Sequence, residues 1–256
     1  MKISQVAAQL YTLRDYLKTP AGIAASLPKV RAIGYEAVQV SGMGPIDMEA
    51  LKQILDDTGL ICCATHEPGK DILETPEKVI ERLDKLACSE TAYPFPAGVK
   101  LDSRDDVMVF AENLNRAGKA LSEAGKVLSY HNHAIEFRRF GGQTMLEILF
   151  EQTDPGYVKF EIDTYWVQAG GGDPVKWCQK LKDRLPLLHM KDYGVSEENK
   201  PVFAEIGYGN LPFHEISRAA EASGCQWFIV EQDVCPGDPF DSLARSFDYI
   251  KNNLCD

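Results

Sequence analysis

No apolar stretch in the sequence approaches the roughly 20 residues needed to cross a membrane. The first fifteen residues lack the apolar core and cleavage site of a signal peptide. A cytoplasmic protein with no membrane partner is therefore expected. The seven cysteines (Cys62, Cys63, Cys88, Cys178, Cys225, Cys235 and Cys255) are odd in number and contain no CxxC spacing. That argues against a disulfide framework or a thiolate zinc site, and the expectation is buried free thiols in a reducing compartment. No long basic run occurs, and 27 basic against 38 acidic residues give a net charge of -11. A nucleic-acid binder needs positive charge to neutralise phosphates, so no such partner is expected. There is no linker rich in Pro, Gly or Ser and no low-complexity tract, so residues 1–256 read as one domain.

Short apolar runs alternate with longer amphipathic ones. The strand-like runs are Ile3–Leu10, Tyr35–Val40, Leu60–Thr65, a weak Thr91–Phe95, Val127–His133, Val158–Asp163, Leu187–Met190 and Trp227–Glu231. Helix-like stretches separate them at Ala21–Ile33, Asp47–Thr58, Thr75–Ala87, Arg104–Ala124, Thr144–Glu151, Pro174–Leu181, Pro212–Ala222 and Pro239–Asn253. Eight strand–helix pairs in about 250 residues predict a (β/α)₈ TIM barrel. Gly34, Gly59, Gly125 and Gly224 fall where helices must turn into strands. Asp47, Thr75 and Asp173 stand where N-caps belong, with Pro76 and Pro174 at the first helical position. An open doubly wound sheet is the runner-up, but no GxGxxG turn follows the first strand.

In a barrel the loops after the strands build the active site. Here those positions are polar. Strand three ends in His66-Glu67, and strand five in Tyr130-His131-Asn132-His133. Strand six ends in Glu161-Ile162-Asp163, strand seven in His189-Met190-Lys191-Asp192, and strand eight in Glu231-Gln232-Asp233. Alternation puts His131 with His133, Glu161 with Asp163, His189 with Lys191, and Glu231 with Asp233 on shared inward faces. Any one histidine reads as a hydrogen-bonded core group, and His214, in a helix, as a surface residue. Four consecutive strands offering imidazole, carboxylate, imidazole and carboxylate read differently, because burying them unpaired is costly and a shared cation removes that cost. Mixed N/O donors suit Mn²⁺, favoured here, or Co²⁺, Zn²⁺ or Fe²⁺. Mg²⁺ prefers an all-oxygen shell.

Several motifs carry a resemblance. They are Gln9-Leu-Tyr-Thr-Leu-Arg14, Tyr130-His-Asn-His133 with Glu136-Phe137, and Glu161-Ile-Asp-Thr-Tyr-Trp166. His189-Met-Lys-Asp192, Glu205-Ile-Gly-Tyr-Gly-Asn210 and Val230-Glu-Gln-Asp233 complete the set. With these motifs the chain resembles the sugar phosphate isomerase/epimerase group of the xylose-isomerase-like TIM barrels. The resemblance implies a metal held by Glu, Asp, His and Glu from strands five to eight. Asp163, His189 and Glu231 match the last three, and the first position falls on His131, or on His133 if the register slips by two. The family's sugar epimerases use the strand-five and strand-eight glutamates as paired acid/base groups. That symmetric pair is absent here, which argues against a simple C3-epimerase and for isomerase, dehydratase or lyase chemistry, including elimination from keto-sugars.

The expectation is a metal-dependent isomerase or epimerase acting on a small sugar or polyol through an enediolate. Glu231, Glu161, His66 and His133 are the candidate proton carriers. Tyr11, Arg14, His133, Glu136, Trp166, Lys191 and Asp233 are the candidate substrate contacts, with Arg14 and Lys191 able to offset negative charge. Gly207 and Gly209 suggest close backbone approach to a ligand, either a phosphate cradle or a plain loop. The alternative is a lyase or dehydratase acting on a keto-sugar or inosose. An AP-endonuclease-like nuclease and a non-catalytic sugar-binding barrel rank lower. Phosphorylation of the substrate and homo-oligomerisation are left open.

Overall fold

Eight parallel strands close into a barrel in chain order in the computed structural model, which describes residues 1–255. They are β1 (Val6–Gln9), β2 (Ala37–Val40), β3 (Ile61–His66), β4 (Glu90–Tyr93), β5 (Val127–His131), β6 (Val158–Asp163), β7 (Leu187–Met190) and β8 (Trp227–Val230). The helices between and after them are α1 (Pro20–Ile33), α2 (Met48–Thr58), α3 (Pro76–Lys85), α4 (Arg104–Glu123), α5 (Met145–Gln152), α6 (Pro174–Lys180), α7 (Phe213–Ala222) and α8 (Pro239–Asn253). β8 pairs with β1, which closes the barrel and leaves it no edge. The expected TIM barrel is the observed fold. Among the described residues, no helix is long and apolar enough to cross a membrane.

Local chemistry explains the punctuation. Asp47 caps α2 by accepting the Ala50 N–H, and Asp173 caps α6 through the N–H groups of Val175 and Lys176. Gly59 ends α2 at φ 70°, a conformation open to glycine because it has no Cβ to clash. Ser103 and Asp106 form a capping box on α4. That helix buries Val107, Phe110, Ala111, Leu114, Gly118 and Leu121, a stripe of helical period facing the barrel. The main core lies between barrel and helices. A smaller cluster of Ala7, Ala37, Cys63, Ala64, Leu187 and Ile229 fills the barrel itself. Cys62, Cys63, Cys88, Cys178 and Cys225 are buried free thiols.

Several expectations need correction. β5 stops at His131, so His133 sits on the loop beyond the ladder and not on the strand. β1 is shorter than expected, because 3₁₀ turns at Ile3–Gln5 and Leu10–Leu13 flank it. Thr75 makes no cap bond, and its hydroxyl reaches back to the Asp71 carbonyl. Short helices at Gly69–Glu74 and Thr164–Ala169 were not expected. Nor were two antiparallel hairpins, Arg139–Phe140 with Gln143–Thr144 and Asp192–Val195 with Pro201–Ala204. These elements decorate the mouth of the barrel. A bulge between Val38 and Gln39 in the β2–β3 pairing pairs Gln39 with Ala64.

Candidate active site

Strand register does most of the placing. His131 pairs with Glu161 across β5 and β6, Asp163 with His189 across β6 and β7, and Gln9 with Gln39 across β1 and β2. Ile162 and Met190, the intervening residues, pack in the main core. Asn132 does not line the cavity, and its Oδ1 accepts the Asp163 backbone N–H at 3.0 Å. This is the alternation read from the sequence.

Glu161 is the hub of the buried layer. Its Oε2 lies 2.6 Å from His66 Nε2, 2.9 Å from His131 Nδ1 and 3.3 Å from His189 Nε2. The His131 contact is close but out of hydrogen-bond alignment. Its Oε1 accepts the Gln39 amide at 2.6 Å. A second group meets around Lys191. The ammonium lies 2.7 Å from Glu231 Oε2, 2.9 Å from Asp163 Oδ2 and 3.2 Å from both oxygens of Asp233. His189 joins the two groups, because its Nδ1 lies 2.8 Å from Glu231 Oε2.

These contacts set the charges. Burial works against the His189 cation, but Glu161 and Glu231 outweigh it and hold the imidazole up at about 10. Burial works against ionised Glu231 and Glu161 too. Lys191 and His189 keep Glu231 well below the carboxylate range, and His189 and His66 do the same for Glu161. Asp163 is pushed up to about 6 by burial, against the pull of Lys191 and His189. Burial, reinforced by Lys191, drives His133 down to about 3, so it is neutral near pH 7.

Above this layer opens a cavity of about 510 Å³. Tyr11, Arg14, His66, His131, His133, Trp166, Lys191, Glu231 and Asp233, all expected at the site, line it. Glu161, Asp163 and His189 lie beneath, fully buried. Glu161 thus stands behind the His66 and His131 imidazoles that line the cavity. Glu136, expected as a substrate contact, is placed elsewhere. Its carboxylate accepts the Tyr130 hydroxyl and the His133 N–H, each at 2.7 Å, and so it holds the His133 loop. The Gly207–Gly209 loop is not a phosphate cradle. The N–H groups of Gly207, Gly209 and Leu211 all donate to the buried Asp192 carboxylate. His214 is exposed on α7, as expected.

Sequence reasoning missed Gln9, Gln39, Ser41, Phe95 and Phe203. Gln9 and Gln39 carried a signal, since each is a polar residue on the inward alternation of an apolar strand. Phe203 comes from the unexpected hairpin and stacks on Tyr165 at 4.1 Å.

Two sets of donor atoms are close enough to hold a cation: Asp163, His189 and Glu231, and His66, His131, Glu161 and His189. Within each set the atoms lie within 4.8 Å of one another. In the first set Asp163 Oδ2 is buried and faces the Lys191 ammonium at 2.9 Å. Two carboxylates and an imidazole within reach of one point fit a divalent ion.

Comparisons with known proteins agree with the barrel fold. A family model for xylose isomerase-like TIM barrels matches residues 27–253. An inosose dehydratase of Geobacillus thermodenitrificans is 31% identical over 257 residues, covering 85% of each chain. An inosose dehydratase of Lacticaseibacillus casei is 31% identical over 264 residues, covering 88% of this chain and 87% of its own. The crystal structure of a sugar phosphate isomerase/epimerase from Parabacteroides distasonis superposes with a TM-score of 0.84 at 25% identity, over 98% of this chain and 94% of that one.

Proposed function

Because the chain belongs to the xylose isomerase-like TIM barrel family, we propose that it is a metal-dependent dehydratase of a neutral, small keto-polyol. Asp163, His189 and Glu231 would hold the divalent ion, Mn²⁺ by preference, with His131 as a fourth ligand. Bound there, the ion supplies Lewis acidity toward a carbonyl oxygen and so acidifies the neighbouring C–H.

The observation that carries this reading is the His66–Glu161 pair, 2.6 Å apart, with the imidazole on the cavity wall and the carboxylate buried behind it. A carboxylate behind an imidazole fixes its orientation and stabilises it once protonated. His66 is thus placed to take the proton next to the carbonyl. Asp233 and Lys191, across the mouth, are placed to return a proton to the departing hydroxyl. One C–H and one C–O bond break, a C=C bond forms, and water leaves. Trp166, Phe203 and Tyr11 give the cavity walls on which a sugar ring packs.

The substrate is read as uncharged. Arg14 already donates to the carbonyls of Asp233 and Tyr11, Lys191 is enclosed by carboxylates, and the glycine-loop amides serve Asp192. Each of these groups is thus already engaged, which favours an uncharged ligand over a phosphate. The relatives named inosose dehydratase support the same class.

A second reading is isomerisation or epimerisation of such a ketose, favoured by the likeness to the Parabacteroides protein. It shares the first proton transfer and differs in where the proton returns. The test is product mass. Protein stripped by chelator and reloaded with Mn²⁺ is incubated with an inosose and a panel of neutral ketoses. A metal-dependent product lighter by one water is expected. A product of unchanged mass selects the second reading, and no turnover on any substrate selects a binding barrel.

A further inference from the structure

His189 belongs to both candidate cation clusters, and which one a metal takes depends on which ring nitrogen keeps its proton when the ion binds. His189 Nδ1 faces Glu231 and Asp163, while Nε2 lies 2.6 Å from Gln39 Oε1 and 3.3 Å from Glu161 Oε2. The orientation of the Gln39 amide follows from its other partners. Its far end lies 2.6 Å from Glu161 Oε1, and an ionised carboxylate only accepts, so the NH₂ must face Glu161. The Gln39 oxygen then faces His189, and it also accepts the Gln9 amide at 2.7 Å. An amide oxygen cannot donate, so His189 Nε2 must carry the proton. Gln9, Gln39 and His189 are all fully buried, away from bulk solvent.

We infer that Gln39, held by Gln9, is a positioning residue that fixes the proton on His189 Nε2 and presents Nδ1 to a divalent cation. This inference rests on the metal-dependent reading above and deepens it. It assigns the cation to the Asp163–His189–Glu231 set. The His66–Glu161 pair stays an imidazole–carboxylate relay, because the proton a cation displaces from His189 is the one on Nδ1, facing Glu231, and not the one that Gln39 Oε1 accepts from Nε2. Ligating histidines typically donate their other N–H to such a partner, and loss of that partner costs about 10- to 100-fold in metal affinity.

The experiment uses Zn²⁺ as a diamagnetic probe and histidine labelled with ¹⁵N in the ring. In the Zn²⁺-loaded wild type, the His189 spectrum should show coordination through Nδ1 with the proton retained on Nε2. Gln39→Met should bind Zn²⁺ about 10- to 100-fold more weakly and lose the slowly exchanging Nε2 proton. Gln9→Met should keep the Nδ1 pattern with a smaller loss of affinity. Coordination through Nε2 in the wild type overturns the inference whether or not the variants fold. Unchanged affinity and spectrum in a folded Gln39→Met protein also overturns it. Both outcomes leave metal dependence standing, whereas a wild type that binds no Zn²⁺ removes the inference and the metal reading together.

Discussion

The Lys191 ammonium lies 2.7 Å from Glu231 Oε2, inside the carboxylate group assigned to the metal. Lys191 is buried and also contacts Asp163 and Asp233, so it neutralises these groups when no cation is bound. The two charges serve the same carboxylates, and each should weaken the other's hold. Lys191→Met should therefore destabilise metal-free protein by about 3–5 kcal/mol, the cost of leaving buried carboxylates uncompensated. It should also enlarge the rise in melting temperature that Mn²⁺ produces. Calorimetry with and without Mn²⁺ reads both. An unchanged metal-free melting temperature would mean Lys191 does not neutralise this cluster.

Asp163→Asn tests the ligand set more directly. Asp163 uses Oδ1 to accept the Trp166 N–H and cap the short helix at Thr164–Ala169, and Asn can keep that bond. What it removes is the charge on Oδ2. The variant should fold, lose most of its bound Mn²⁺ by elemental analysis, and lose turnover with it. A full equivalent of tightly bound metal would place the ion away from Asp163.

The fold was legible because its signals are local. Gly34, Gly59, Gly125 and Gly224 mark helix-to-strand turns by composition alone, and all four adopt positive φ. Strand alternation placed His131, Asp163, His189 and Lys191 correctly on inward faces. What stayed hidden depends on contacts distant in sequence. Gln39 is one polar residue in a short apolar strand until β6 and β7 bring Glu161 and His189 to it. Glu136 resembled a substrate contact because its motif sits beside His133, but Tyr130 and the His133 amide consume its carboxylate. The two-glycine loop resembled a phosphate cradle because amide direction cannot be read from glycine spacing.

Asp192 shows how that loop is held. Its carboxylate accepts the N–H groups of Tyr193, Gly207, Gly209 and Leu211 at 2.8 to 3.2 Å. A Cβ on Gly209 would come within 2.5 Å of Asp192 Oδ1, so the glycine is needed for approach to the aspartate. Asp192→Ala should strand several amides and cost about 3 kcal/mol, measured by urea unfolding. Added inorganic phosphate should leave wild-type stability and turnover unchanged. Protection by phosphate near its physiological concentration would revive the cradle and a phosphorylated substrate.

Glu90 supplies the last prediction, on pH. It lies buried at the start of β4, and its Oε2 has no hydrogen-bond partner. Burial, with the charge of Glu161 adding to it and Lys159 opposing, lifts its carboxyl to about 7. The folded protein therefore binds this proton more tightly than the unfolded chain, where the value is near 4.5. Stability from this group is fully present below about 4.5 and falls as pH rises toward 7, because the unfolded chain ionises first. The gap between 4.5 and about 7 corresponds to a loss on the order of 3 kcal/mol, complete above the folded value. Glu90→Gln keeps the shape and abolishes the titration. It should match or trail the wild type in acid and exceed it above neutrality, with the difference opening between those two pH values. Urea unfolding of both proteins across that range measures it. Parallel stability curves for the two proteins would show that Glu90 titrates alike in the folded and unfolded states.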